Sequence, residues 1–98
     1  MSKFTLHGLE KIIQERGRSG DDNSWTAKLF QKGTEKAAQK LGEEATEAVI
    51  AAVTHNPEEL TKESADILYH LLVVLALEGV SLDDVLQELA QRTGQSGI

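Results

Sequence analysis

The chain has 98 residues, room for a single domain, and its 16 acidic against 10 basic side chains give a formal net charge of −6. That balance argues against a nucleic-acid partner and against an anionic membrane surface. With no cysteine, neither disulfides nor a thiolate zinc site can reinforce so small a core, which leaves a partner subunit as the common source of added burial.

The first residues, Met1-Ser-Lys-Phe-Thr-Leu-His7, carry no long apolar segment behind their charge, so no secretory signal is expected. The most apolar stretch, residues 67–77, is far short of the roughly 20 that a membrane-spanning helix needs, and a cytoplasmic protein with no membrane partner is the expectation. No segment alternates apolar and polar residues as a half-buried strand does, and stop signals divide the chain into helices. The first is predicted from about Phe4 to Arg16, with Leu6, Leu9, Ile12 and Ile13 at helical spacing. Gly17 to Asn23 is a loop by composition, and Ser24 caps a short helix that ends at Gly33.

A long helix follows from Thr34 to about Val53, with Ala37, Leu41, Ala45, Ala48 and Ala52 expected on one face. Gly42 inside it, at about 1 kcal/mol against Ala, signals either close packing or room for a ligand. Asn56 as N-cap, Pro57 at the first helical position and Glu59 then open a helix that runs to Glu78, antiparallel to the previous one across a short connection. Its main face is expected to be Leu60, Ser64, Ile67, Leu71, Val74 and Glu78. Beyond Asp66 this helix is apolar nearly all round. A lone small domain can hardly cover it, so a homodimer through Leu68 to Leu77 is expected. Ser81 caps a last helix to about Arg92, and 93–98 are expected to fray. The fold class is therefore all-α: one domain over residues 1–98, a helical hairpin completed into a bundle by homodimerisation.

Two of these helices each carry acids three residues apart, Glu44-Ala-Thr-Glu47 and Glu63-Ser-Ala-Asp66. That spacing puts both carboxylates on one side of a helix. Across an antiparallel pair, four acids can converge on one point, where a divalent cation compensates their repulsion. All-oxygen ligation selects a hard ion, Mg²⁺ or Mn²⁺. Solvated helix faces are the plainer alternative, since acids are common there. Lys36 and Lys40 share the flank of Glu43, Glu44 and Glu47, and Lys28 and Lys32 repeat the spacing upstream. They read either as surface ion pairs or as a cationic edge for a polyphosphate beside the metal. His70 lies one turn after Asp66, either orienting that carboxylate as an outer-shell partner or sitting in an interface. His7 and His55 read as surface residues. Trp25 and Tyr69 are candidates either for stacking on a base or for ordinary packing.

Glu43-Glu44-x-x-Glu47, followed after a helical hairpin by Glu63-x-x-Asp66, resembles the motif of the all-α NTP pyrophosphatase (MazG-like) superfamily. Ser24-Trp-Thr-Ala-Lys-Leu-Phe30, Lys40-Leu-Gly-Glu-Glu-Ala45, Glu63-Ser-Ala-Asp-Ile-Leu-Tyr-His70 and Gly79-Val-Ser-Leu-Asp-Asp-Val85 are similar to its phosphoribosyl-ATP pyrophosphatase branch, over about Leu9 to Arg92. Trp25 departs from the usual Tyr of that branch, which puts only a hydroxyl contact in doubt. The fused cyclohydrolase domain of many relatives does not follow, so the stand-alone form is implied. The resemblance implies hydrolysis of 1-(5-phosphoribosyl)-ATP to the AMP derivative and pyrophosphate, the second step of histidine biosynthesis. It also implies Glu44, Glu47, Glu63 and Asp66 as Mg²⁺ ligands. Glu43 is the candidate water-orienting base, and Lys36 and Lys40 are candidate phosphate contacts. The alternatives are a related enzyme acting on ordinary or damaged nucleoside triphosphates, which shares the acidic motif, and a non-catalytic dimerisation module.

Overall fold

The computed structural model describes residues 3–94; of the expected fraying of 93–98, Thr93 is instead the last residue of a helix and Gly94 its C-cap, and 95–98 lie outside the described residues. Five helices follow in order: α1 Leu6–Gly17, α2 Trp25–Lys32, α3 Thr34–Val53, α4 Pro57–Leu77 and α5 Leu82–Thr93. Their starts are set by local chemistry. Ser24 Oγ accepts from the Ala27 N–H, Asn56 Oδ1 accepts from the Glu59 N–H, and Ser81 forms a reciprocal capping box with Asp84. Gly33, at φ 87°, serves as C-cap of α2 and N-cap of α3, so the chain turns between two helices on one residue whose backbone a side chain would strain.

The antiparallel pair α3 and α4 forms the frame, and α1 and α2 lie across one side of it. Ile13, Leu29, Ala37, Leu72, Val73 and Leu82 make the buried core. Phe30 of α2 seats over Gly17 at the end of α1, where an added Cβ would fall 2.4 Å from the ring. Only glycine lets the two helices approach so closely there. α5 turns 110° away from α4 and is tied to α1 by two contacts. His7 Nε2 lies 2.7 Å from Asp83 Oδ1, and Glu10 accepts from the Leu82 N–H at 2.8 Å. Among the described residues no single helix is long and apolar enough to cross a membrane.

Three expectations are corrected here. The inward row of α3 runs through Ala37, Leu41, Glu44, Ala48 and Ala51, while Ala45 and Ala52 are exposed. On α4 the buried row includes Glu63 and His70, and Ser64 is exposed. Leu72 and Val73, expected at a subunit interface, are sealed in the chain's own core beneath α1 and α2. Gly42 has nothing within 4 Å of the place a side chain would occupy, so close packing within the chain does not explain it.

Apolar side chains left uncovered include Leu68 on α4 and Val49 and Val53 on α3. On an antiparallel pair, advancing one residue from the contact row turns toward the same side on both helices. Ala45, Val49 and Ala52 on α3 and Leu68, Leu71 and Leu75 on α4 therefore form one apolar side of the hairpin.

Candidate active site

Glu63 sits on the inward row of α4 at 7% exposure, facing α3. A carboxyl so placed needs a partner, and it shares a hydrogen bond with Glu47. That bond needs a proton. With burial and the negative charges of Glu47, Asp66 and Glu59 acting in the same direction, Glu63 is pushed up to about 7. One turn before Glu47, Glu44 turns inward too. Its Oε1 lies 2.5 Å from Nδ1 of His70, but off the ring N–H direction, because that nitrogen also meets the Asp66 carbonyl at 3.1 Å. Glu44 Oε1 and Glu63 Oε2 are therefore both buried without a hydrogen-bond partner, as is His70 Nε2.

The carboxylates meet as neighbours and not at one point. Glu47 joins Glu63, Glu44 joins His70, and Asp66 remains exposed. Among the described residues no group of three or more His, Asp or Glu side chains is arranged to hold a metal ion. Four like charges gathered at one point repel, and sharing a proton or turning to a histidine lowers that energy. The donor set nevertheless fits a hard divalent cation, since two orphaned carboxylate oxygens face each other's helices with two more acids one turn away. His70 differs from its expected role. It approaches the Asp66 backbone and the Glu44 carboxylate, not the Asp66 carboxylate.

Lys36 and Lys40 are half-buried on the flank of α3 that leads to Glu44. Lys40 Nζ lies 3.8 Å from Glu43 Oε1, and Gln39 donates to Glu43 Oε2 at 3.1 Å. Glu43 thus points to the solvent edge, beside the acids that face α4. A recess of about 320 Å³ borders Glu47 and Glu59 near the connection between α3 and α4, with Thr54 and Asn56 in its wall.

A larger cleft, about 710 Å³, lies between the end of α1, the 18–24 loop, the first turn of α2 and the middle of α4. Trp25 and Tyr69 both line it, with Arg16 and Ser19. The Tyr69 and Thr26 hydroxyls are hydrogen-bonded at 2.5 Å, which fixes α2 to α4 at the cleft floor. Burial pushes the Tyr69 phenol up, against that hydrogen bond and the nearby Arg16 charge. The Tyr69 ring stacks edge-on to His70 with centroids 4.8 Å apart, so the cleft wall and the Glu44 carboxylate are separated by one side chain. Arg16 and Ser19 escape sequence reasoning because a charged residue in the last turn of a helix and a serine in a polar loop are both ordinary surface features. Their one signal is proximity to Trp25.

A family model described as phosphoribosyl-ATP pyrophosphohydrolase matches residues 6–93. Among curated proteins, the phosphoribosyl-ATP pyrophosphatase of Rhizobium rhizogenes is 56% identical over 98 residues, covering 100% of this chain and 94% of the relative. Those of Sinorhizobium medicae and Rhizobium meliloti are 55% and 56% identical over the same 98 residues, each covered to 92% of its length.

Proposed function

This chain belongs to the phosphoribosyl-ATP pyrophosphohydrolase family, and we propose that it hydrolyses 1-(5-phosphoribosyl)-ATP with a divalent cation held between α3 and α4. Water cleaves the bond between the α- and β-phosphates, giving 1-(5-phosphoribosyl)-AMP and pyrophosphate in the second step of histidine biosynthesis. The observation that carries the site is that two carboxylate oxygens on adjacent helices, Glu44 Oε1 and Glu63 Oε2, are buried without a hydrogen-bond partner, each with a second acid, Glu47 or Asp66, one turn along its helix. These four residues would hold Mg²⁺, or Mn²⁺ in its place. Bound there, the ion supplies charge neutralisation on the phosphate oxygens and a more acidic water.

The chain's own residues do the rest. Glu47 and Glu63, whose proximity favours a proton between them, would have to be deprotonated to serve as ligands, so cation binding there would release a proton. His70, packed in the interior beside Glu44, limits the rotamers open to that carboxylate. Lys36 and Lys40 bring ammonium groups to the phosphate oxygens along α3, with Lys40 exchanging its long contact to Glu43 for substrate. Glu43, exposed beside the cage, is the base that orients the attacking water.

Homodimerisation belongs to the same reading. The apolar side formed by Val49, Leu68 and their neighbours is unpaired in the single chain, and a second hairpin laid on it makes a four-helix bundle.

The test is pyrophosphate release from phosphoribosyl-ATP, ATP and dCTP, with Mg²⁺ and in EDTA. Release from phosphoribosyl-ATP in Mg²⁺ alone is expected, with Mn²⁺ substituting well and Ca²⁺ poorly. Equal turnover of plain ATP overturns the substrate, and full activity in chelator overturns the carboxylate cage as the catalytic centre.

A further inference from the structure

Phosphoribosyl-ATP carries two phosphorylated ends on one adenine, a triphosphate on the ordinary ribose and a second ribose 5-phosphate on N1. The acids of α3 and α4 account for the first end only. The cleft beside them, at about 710 Å³, has the size of a small-molecule site, and three features of its wall describe the ligand it suits.

Trp25 is 45% exposed, a large aromatic face left open on a concave surface, which is the form of a stacking platform for a base. Arg16 also lines the cleft and has no carboxylate within ion-pairing distance among the described residues. Its planar, permanently charged fork suits a phosphate monoester. Glu15 and Asp21 stand on the same wall. Two acids against one guanidinium disfavour a polyphosphate, but carboxylates accept readily from sugar hydroxyls. The position agrees with this chemistry. Asp66 lies one turn before Tyr69 on α4, so the acidic face and the cleft are consecutive along one helix.

We propose that this cleft binds the phosphoribosyl-adenine end of the substrate, with the base against Trp25, the second ribose toward Asp21, and its 5-phosphate on Arg16. The assignment rests on the reading of phosphoribosyl-ATP as substrate, and it makes Arg16 the residue that separates that substrate from ATP. Trp25 serves the adenine that both share.

Titration calorimetry with phosphoribosyl-AMP and with AMP, on wild type, Arg16→Gln and Trp25→Ala, tests it, alongside pyrophosphate release from phosphoribosyl-ATP. Circular dichroism melts check that each variant folds, and Trp25→Tyr serves as the conservative control. Wild type should prefer phosphoribosyl-AMP to AMP. Arg16→Gln should lower affinity for phosphoribosyl-AMP by about 10-fold or more, the scale of a charged hydrogen bond, and for AMP by no more than about twofold. Trp25→Ala should weaken both ligands, and Trp25→Tyr should recover most of the loss. In turnover both losses should fall on KM more than on kcat. Folded variants with wild-type KM and wild-type affinities overturn the cleft assignment while leaving the reaction intact. Failure of wild type to turn over phosphoribosyl-ATP overturns the reaction and the cleft assignment with it.

Discussion

Replacing Glu63 with Gln keeps the size and hydrogen-bonding reach of the side chain and removes its charge. In the fold, Glu63 shares a proton with Glu47, and its carboxyl stands at about 7 against an ordinary 4.5. A carboxyl raised in the native state binds its proton more tightly there than when unfolded. Its contribution to stability is then full below pH 4.5 and declines as pH rises toward about 7, at a slope of at most one proton. As pH rises past about 7 the proton is lost, and the neighbouring carboxylates are left to repel each other. In EDTA at pH 8, Glu63→Gln should therefore melt at the same temperature as wild type or above it, because the amide donates to Glu47 without repulsion. Lowering the pH to 5 should close or reverse that gap, since wild type regains its proton and the mutant has none to regain. Adding Mg²⁺ at pH 8 should also narrow or reverse it, as wild type gains metal-binding free energy that the mutant has largely lost. Activity should fall by about 100-fold or more. Thermal melts of both proteins at pH 5 and pH 8, in EDTA and in Mg²⁺, provide the measurement. A mutant clearly less stable than wild type in EDTA at pH 8 would refute the repulsive pair and identify Glu63 as a structural anchor.

Assembly is predicted to depend on the open side of the hairpin: sedimentation should show a dimer, and Leu68→Glu, at a position 42% exposed in the single chain, should dissociate it while the chain stays folded. Leu72→Glu should instead unfold the protein, because a charge at 4% exposure has no partner, and a folded wild-type monomer at micromolar concentration would refute the interface. Tyr69→Phe removes the hydroxyl that binds Thr26 and leaves a buried oxygen short of a partner, for a loss of about 1–2 kcal/mol, or roughly 4–15 °C in Tm for a domain this size. An unchanged Tm would mean that water replaces the bond.

Helix number and order, and the starts of α2 to α5, are legible in the sequence because they rest on chemistry within a turn or two. Ser24, Asn56 and Ser81 each cap the helix that follows, and Gly33 and Gly79 break the chain where a positive φ is needed. The acid pairs are legible for the same reason, since i, i+3 spacing fixes them on one side of a helix whatever lies opposite. Which side faces inward is not. On α3, small-residue periodicity fits more than one choice of row: the expected and observed rows share Ala37, Leu41 and Ala48 and part by one residue at Ala45 against Glu44 and at Ala52 against Ala51. Contact with α4 decides between them, drawing Glu44 inward beside His70 and leaving Ala45 outside. On α4 the residues beyond Asp66 are apolar on every side, and a helix of that kind carries no internal mark of which face its own chain covers. Only the seating of α1 and α2 assigns Leu72 and Val73 to the core and leaves Leu68 open. The cleft is further still from sequence reach, because Arg16, Trp25 and Tyr69 come from three segments that meet only when Phe30 packs over Gly17 and Thr26 bonds to Tyr69. Local hydrogen bonding is written residue by residue along a chain. The partner of a helix face is fixed by packing between segments far apart in sequence, and that is decided only in the folded molecule.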